Sequence, residues 1–185
     1  FVGHCEDSQI SRCYAEINAS NTWAFVGGIM GYAQNVKVNS CYSNGIINGI
    51  KSVGGLFGAL SGAIEDCYST SSVKGNVGDL TGGIIGKSHM PIKNCYFAGT
   101  ITASGAMPIT PTVNEIMINC YFDQQVTGTY DLPDQSRTTE QMYQKSNYEG
   151  WNFENVWYIN EGNNYPRLRY EIDNIPVEKI SISPT

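Results

Sequence analysis

Cysteines, histidines and closely spaced carboxylates are the side chains in this sequence that could bind a metal or break a bond. The 185 residues include six cysteines and two histidines, His4 and His89. Thiolate and imidazole groups are the usual zinc ligands, and glycoside cleavage uses two carboxyl groups about 5–10 Å apart. The sequence contains no His-Glu-x-x-His motif, no Cys-x-x-Cys pair and no phosphate-binding loop. Any chemistry must therefore come from the spacing of the cysteines or of the carboxylates.

Five of the cysteines recur once per sequence repeat, at intervals of 28, 26, 28 and 25 residues. Such regular spacing is typical of a small buried residue that stacks on its copies in neighbouring repeats. A straight ladder cannot bring four sulfurs to one zinc ion, so we expect reduced structural thiols and no metal or other cofactor. Cys5 lies outside the array and is either free or paired. The ladder cysteines and the tyrosines that follow them are Cys13-Tyr14, Cys41-Tyr42, Cys67-Tyr68, Cys95-Tyr96 and Cys120-Tyr121.

The carboxylates do not form an evident catalytic pair. Glu65 and Asp66 are adjacent, so a strand would direct them to opposite faces. Glu115 and Asp123 flank an irregular stretch without an obvious partner, and the acids at Asp131 and 134 lack the spacing of a known calcium loop. We expect these acids to serve solubility and corner geometry, and we expect no enzyme activity from this chain.

A second marker keeps the same period as the cysteines and defines the fold. Glycines close an apolar step at Gly3, Gly31, Gly58 and Gly86, at intervals of 28, 27 and 28 residues. Each repeat has three short apolar peaks separated by polar or glycine corners, and glycine at this density disfavours helices. We therefore predict an all-β fold: a right-handed parallel β-helix (solenoid) of about four 27-residue coils over residues 1–128.

Adjacent apolar residues precede each closing glycine, as in Leu56-Phe57 and Ile84-Ile85. A regular strand turns only one residue of each pair inward. Either a bulge places both inside, or the second residues form an outer stripe that another part of this chain covers. The members of that stripe would be Val2, Met30, Phe57 and Ile85.

Residues 129–170 do not continue the repeat of residues 1–128, and their sequence predicts a small helix-containing cap. Thr138 and Gln141 fit a capping box at the start of a helix over 139–146. Aromatic residues follow, and we expect them to cover the final coil or the outer stripe. Trp23, Trp151 and Trp157 serve this packing or, as the alternative, contact a partner or a sugar. Residues 171–185 predict a linker into a following domain, which its last residues suggest is immunoglobulin-like.

Composition limits the class of partner. The formal net charge is −6, which argues against nucleic acid and against a polybasic membrane anchor. A spanning helix needs about 20 apolar residues, and no such stretch is present, so we expect no membrane insertion.

The stretches "VGGLFGALSGAIEDCYSTSSVKG" and "TGGIIGKSHMPIKNCYFAGTITAS" resemble the GLUG-repeat family over residues 1–128. The resemblance implies a β-solenoid stalk or binding module without catalytic residues. It also implies a setting in bacterial surface or adhesin-like proteins and in non-catalytic regions of some immunoglobulin-cleaving metalloproteases. The copy after Cys95 departs from the pattern at Met107–Thr112, which predicts a loop or the approach to the cap.

We therefore expect a non-catalytic structural or adhesive module at the bacterial surface or outside the cell. Its partner would be a host or bacterial surface protein or a glycan. One alternative is a carbohydrate-binding or polysaccharide-cleaving β-helix. The other is a self-assembling filament subunit that associates with its own copies through an uncapped coil edge.

Overall fold

The computed structural model describes residues 2–21, 25–76, 80–112, 116–130 and 132–173. The predictions for Trp23, Glu115, Asp131 and the linker beyond residue 173 lie outside these residues. Within them the chain forms a β-solenoid of about four turns, so the predicted all-β solenoid is confirmed. None of the helices in these ranges is long and apolar enough to cross a membrane.

The elements follow one another with short corners between them. The strands are β1 (Val2–Glu6), β2 (Gln9–Ser11), β3 (Tyr14–Asn21), β4 (Phe25–Gly27), β5 (Met30–Gln34), β6 (Lys37–Asn39), β7 (Tyr42–Gly49), β8 (Ser52–Gly54), β9 (Phe57–Ser61), β10 (Ile64–Glu65), β11 (Tyr68–Ser69), β12 (Ser72–Lys74), β13 (Leu80–Gly82), β14 (Ile85–Ser88), β15 (Ile92–Lys93), β16 (Tyr96–Phe97), β17 (Ile101–Thr102), β18 (Met117–Ile118), β19 (Tyr121–Asp123), β20 (Ser136–Arg137), β21 (Trp157–Tyr158) and β22 (Arg167–Leu168). The helices are α1 (Gln124–Thr127), α2 (Thr139–Met142) and α3 (Arg169–Ile172), and a 3₁₀ turn covers Lys145–Asn147.

Four parallel sheets, here named A to D, run along the solenoid. Sheet A contains β1, β5, β9 and β14, and sheet B contains β2, β6, β10, β15 and β18. Sheet C contains β3, β7, β11 with β12, β16 with β17, β19 and β20, and sheet D contains β4, β8 and β13. Equivalent positions of successive repeats pair directly, as Ile64 does with Val38 on one side and Ile92 on the other. The sequence period therefore equals one coil.

The glycine pairs make a corner between sheets D and A, so each coil has four strands where the sequence predicted three. β8 ends at Gly54, a bend follows at Gly55-Leu56, and β9 begins at Phe57. A Cβ on Gly55 would meet the Gly83 carbonyl oxygen and Ser69 Oγ, so only glycine lets the coils approach this closely. Glycine is the residue that tolerates such backbone contact.

This corner also corrects the proposed outer stripe. Met30, Phe57 and Ile85 are at most 1% exposed and belong to the solenoid core. Leu56 and Ile84, which precede two of them, are buried in the same core. The chain passes from sheet D to sheet A at this bend, which separates the two residues of a pair, so both side chains point into the solenoid. The side chain of Val2 lies outside the described part of the chain.

The corner between sheets B and C explains the Cys-Tyr step. The residues before the five cysteines have φ between 49° and 53°, in the left-handed region, although none is glycine. Asp and Asn tolerate this conformation better than most residues. The chain then enters sheet C with cysteine inward and tyrosine outward. These corner residues are Arg12, Ser40, Asp66, Asn94 and Asn119.

The irregular stretch after β17 continues the coil instead of leaving it. Met107 forms a parallel bridge with Gly82, and the amide of Ile84 donates to the Ile109 carbonyl at 3.1 Å. Ile109 is 2% exposed. Residues 108–112 form no strand, in agreement with the predicted loop, but the loop stays on the coil because the Met107 bridge, the main-chain bonds to Ile109 and its inward side chain hold it there. Beyond β19, the short strand β20 pairs with it and adds one further rung to sheet C.

Candidate functional site

The tyrosines that follow the cysteines form a ladder on the outer face of sheet C. Strand pairing aligns each with its copy in the next coil. From Tyr14 through Tyr42 and Tyr68 to Tyr96, ring centroids are 5.3, 4.9 and 4.9 Å apart, with interplanar angles of 11°, 2° and 4°. The rings thus stack at nearly the spacing of the strands beneath them. The fifth tyrosine, Tyr121, continues the register on β19.

The closing segment, residues 138–173, packs against the flank of this ladder. It forms a second hydrophobic core outside the solenoid, which includes Tyr68, Tyr96 and Tyr121. The outer stripe, one of the two surfaces predicted for the cap, lies in the solenoid core and is not covered by this segment. The segment covers the row of tyrosine rings, and it reaches the final coil at Asn119 and Tyr121. Its buried members are Met142, Tyr148, Trp151, Phe153, Trp157, Leu168 and Tyr170.

Directional hydrogen bonds fix the closing segment along the ladder. The Trp151 indole donates to the Asn119 carbonyl at 2.9 Å, and the Tyr96 hydroxyl donates to the Pro166 carbonyl at 2.8 Å. Trp157 is fully buried and Trp151 is 7% exposed. Both rings therefore pack within the core that the closing segment forms with the ladder.

The cover over the ladder is incomplete, and it leaves a groove. Tyr96 and Tyr68 are buried, Tyr42 is half-buried, and Tyr14 is 52% exposed. The space between the uncovered rings and the closing segment has a volume of about 340 Å³. On the side of the closing segment, Asn164, Tyr165, Arg167 and Glu171 line it. The groove therefore runs across three coils and is closed at the Tyr96 end.

A second row of side chains lies beside the tyrosines on the groove floor. Glu16, Asn44 and Thr70 each follow a ladder tyrosine by two residues, which places them on the same face of sheet C. Glu16 pairs with Asn44 in the strand register, and the Thr70 amide donates to the Ser43 carbonyl in the coil below it. Each coil thus offers one aromatic ring and one polar side chain to the groove.

Glu171 joins the wall of the groove to its floor. Its side chain is only 3% exposed, although it carries a carboxylate. It accepts hydrogen bonds from the Tyr68 hydroxyl at 2.9 Å, from the Leu168 amide at 2.7 Å and from Arg167 Nη2 at 3.1 Å. A buried carboxylate with an ion-pair partner and additional donors is stable in that site. α3 continues to Ile172, one residue past the predicted start of the linker, with the Ile172 side chain 38% exposed.

Burial and the Glu171 carboxylate raise the pKa of two floor hydroxyls. Burial first, and then Glu171, raise the pKa of Tyr42 to about 12. The same two causes raise the pKa of Tyr68 as well. Tyr68 already donates its proton to Glu171, so Tyr42 is the hydroxyl of this pair that can donate to a ligand as well as accept from it.

The five ladder cysteines lie on the opposite side of sheet C from the groove, inside the solenoid. Four of them, Cys41, Cys67, Cys95 and Cys120, are buried and free, Cys13 is buried at 8% exposure, and Cys5 is half-buried and free. The Cys67 thiol donates to the Glu65 carbonyl at 3.2 Å, and the Cys41 amide donates to Cys67 Sγ at 3.3 Å. Burial raises the pKa of the Cys67 and Cys120 thiols. Among the described residues, no group of three or more His, Cys, Asp or Glu is placed to hold a metal ion.

The acids considered for catalysis have structural partners. Glu65 forms an exposed ion pair with Lys93 at 2.6 Å. Asp66 Oδ1 accepts from Trp157 and Asn94. Asp123 is fully buried; one oxygen caps α1, and the other accepts from Thr139 and Tyr165.

The polar residues that line the groove were not predicted from the sequence. Glu16, Asn44 and Thr70 could have been found, because a residue two positions after each outward tyrosine must share its face. No sequence pattern of this kind places Arg167 and Glu171 at the groove. Their positions depend on where the closing segment docks, and that surface exists only after the coils have stacked.

Comparison with known proteins supports the fold. Neither a protein-family model nor a curated protein sequence matches this chain. A solved structure described as a "putative immunoglobulin A1 protease from Bacteroides ovatus" is similar, with a TM-score of 0.65 and 22% sequence identity over 91% of this chain. The matched region spans 62% of the length of that protein. At this identity the likeness shows a shared fold, and this chain corresponds to part of the larger molecule.

Proposed function

We propose that this chain is a non-catalytic β-solenoid module of a bacterial surface or secreted protein, and that the groove beside the tyrosine ladder is its binding face. The fold likeness to part of a bacterial protein supports the structural half of this proposal. The repeated Gly-Gly-x-x-Gly and Cys-Tyr steps, which resemble GLUG repeats, support an extracellular setting. The partner would be a host or bacterial surface protein or a glycan.

One observation carries the binding role: the groove is open, it combines aromatic rings with polar side chains, and its wall is hydrogen-bonded to its floor. Its floor consists of stacked rings whose strands are paired in register, and its wall is tied to that floor through Glu171. A preorganised concave surface loses little side-chain entropy when a ligand binds. Side chains that only fill a core would not leave Tyr14 half-exposed beside Asn44 and Arg167.

The carboxylates of the groove support a non-catalytic role. Two line it, Glu16 and Glu171. Glu171 is held by an arginine, a tyrosine and a backbone amide, so its charge is committed to structure. Glycoside cleavage needs an acid and a second carboxylate that both reach the substrate.

Beads coated with the chain can test both halves of the proposal. They would be placed on films of mucin, immunoglobulin A1, peptidoglycan or albumin, and retention under flow and release of soluble fragments would be recorded. We expect retention above the albumin level on at least one film, without fragments of that film in the eluate. Beads that carry the Asn44→Ala variant are the matched control and should be retained less. Release of fragments, or retention at the albumin level on every film, would refute the proposed function.

A further inference from the structure

The groove has a repeating chemistry that narrows the class of ligand. Along its floor, three coils line the groove with one tyrosine and one hydrogen-bonding side chain each, Glu16, Asn44 or Thr70; the rings of Tyr14 and Tyr42 are accessible, and that of Tyr68 is buried. Successive coils are separated by the strand spacing of about 4.8 Å. A ligand that lies along the groove would meet the same pair of groups at regular intervals. Such a surface suits a chain of similar units better than a single compact molecule.

Most of the floor backbone is already paired within sheet C. β7 pairs with β3 on one side and with β11 and β12 on the other, and β11 pairs onward with β16. Peptides that bind by strand addition need an unpaired sheet edge, and among the described strands of the floor only β3, which pairs with β7 alone, offers one. Over the coils of Tyr42 and Tyr68, side chains alone must therefore contact the ligand.

The charges of the groove disfavour an anionic ligand. Arg167 is the cation among its lining residues, and Glu171 Oε2 lies 3.1 Å from its guanidinium nitrogen. Glu16 is exposed and adds a negative charge on the floor. The lining therefore carries no surplus positive charge with which to attract a phosphate, a sulfate or a uronate.

The remaining groups match hydroxyl-rich ligands. The hydroxyls of Tyr14 and Tyr42 and the amides of Asn44 and Asn164 can both donate and accept, and the Glu16 carboxylate accepts. Tyrosine combines an apolar ring with a polar tip, so it can contact both the C–H face and the hydroxyls of a sugar.

We propose that the groove binds a neutral oligosaccharide, which lies parallel to the solenoid axis across the coils of Tyr14, Tyr42 and Tyr68. This inference rests on the proposed binding function and names its ligand class. Glu16 and Asn44 hydrogen-bond to sugar hydroxyls, and the exposed edge of the stacked Tyr14 ring packs against sugar C–H groups.

Calorimetric titration of the whole chain tests this assignment. The neutral probes are hexasaccharides of glucose in α- and β-linkage, of mannose and of N-acetylglucosamine. Trigalacturonate is the anionic probe, and an uncharged octapeptide is the peptide probe. We expect at least one neutral probe to bind, and trigalacturonate and the peptide to bind at least tenfold more weakly.

Variants locate the binding in the groove. Glu16→Gln and Asn44→Ala should each weaken binding of the neutral probe about fivefold, as expected for one lost hydrogen bond. Lys37→Ala, an exposed change on sheet B, is the matched control and should bind as the wild type does. Circular dichroism would show that all three variants are folded.

Three results would overturn the inference: none of the neutral probes binds at millimolar concentration, trigalacturonate or the peptide binds as tightly, or both groove variants bind normally. The bead experiment separates this failure from that of the proposed function. Beads retained on immunoglobulin A1 but insensitive to neutral oligosaccharides would leave a binding module whose ligand is a protein.

Discussion

The indole of Trp157 donates a hydrogen bond to Asp66 Oδ1 at 3.0 Å, and both groups are buried. Asp66 lies at a left-handed corner of the solenoid, with φ of 53°, and Trp157 lies in the closing segment. Asn94, at the same corner of the next coil, donates to the same oxygen at 3.2 Å. One carboxylate thus connects two neighbouring coils to the segment that covers the tyrosine ladder.

Replacing this buried charge with its amide should not destabilise the protein at neutral pH. In Asp66→Asn the side-chain oxygen can still accept from Trp157, and Asn94 and Asn119 show that the corner holds asparagine. We expect the variant to have an unfolding free energy equal to or above that of the wild type. Asp66→Ala is the contrasting change and should cost about 2–3 kcal/mol, because it loses the acceptor and places alanine in the left-handed region.

The pH dependence of this difference has a definite sign. Burial is the largest cause that raises the pKa of Asp66 above its ordinary value of 3.8. The folded protein then holds the proton more tightly than the unfolded chain, so stability from this group falls as pH rises from 3.8 through the raised pKa. The stability of Asp66→Asn minus that of the wild type should therefore increase across this window and then become constant. Chemical denaturation at several pH values measures it, and a difference that decreases with pH would contradict the assignment.

The six cysteine thiols should differ in their reactivity in the native protein: one should be accessible to reagents and five should be protected. Cys5 is half-buried, whereas the ladder cysteines are at most 8% exposed. A maleimide reagent should label Cys5 first in the native protein, and all six cysteines only after denaturation. Cys67→Ser should cost about 1–3 kcal/mol, because burying a hydroxyl costs more than burying a thiol and the shorter C–O bond moves the oxygen away from the Glu65 carbonyl and the Cys41 amide. Cys5→Ser is the matched control and should cost little; a mapped Cys41–Cys67 disulfide would contradict the ladder of reduced thiols.

The corner glycines should be far less replaceable than a glycine on an open strand. A Cβ on Gly55 would meet backbone and side-chain atoms of two other coils, whereas nothing lies within 4 Å of the Cβ position of Gly3. Gly55→Ala should therefore cost about 3 kcal/mol or more through overpacking, or prevent folding. Gly3→Ala should change the unfolding free energy by about 0.5 kcal/mol or less. Guanidinium midpoints of the two variants make the comparison, and equal midpoints would show that close approach does not explain the glycine.

The repeat made the solenoid predictable, because each coil repeats the same local rules. Cysteine inward and tyrosine outward follow from strand alternation, and the ladder follows from the constant period. The fourth strand of each coil was harder to predict, because a bend at Gly55-Leu56 and a bulge inside one strand give the same sequence pattern of two adjacent apolar residues.

The position of the closing segment could not be predicted, because its contacts are distant in the sequence. Glu171 accepts from Tyr68 across 103 residues, and the sequence pattern assigned it to a linker. Its partner surface consists of tyrosines from several coils, none of which is an apolar patch on its own. The groove is the part of that surface that the closing segment leaves uncovered, so its position could not be predicted from the sequence either.

The contact between Tyr68 and Glu171 should be worth more than an ordinary surface interaction. The Tyr68 hydroxyl lies 2.9–3.0 Å from both carboxylate oxygens, and the Glu171 side chain is 3% exposed. A hydrogen bond to a charged group contributes about 1.5–3 kcal/mol, so Tyr68→Phe should lower the unfolding free energy by about that amount.

A double-mutant cycle of Tyr68→Phe with Glu171→Gln tests whether this loss belongs to the pair. If it does, the second substitution should cost less once the first has been made. Tyr14→Phe is the matched control, because Tyr14 is 52% exposed and should lose little. Limited proteolysis provides an independent measurement: cleavage within residues 138–173 should be faster in Tyr68→Phe than in Tyr14→Phe. Additive costs in the cycle together with equal cleavage rates would show that Glu171 does not hold the closing segment against the ladder, and that the aromatic core alone positions the wall of the groove.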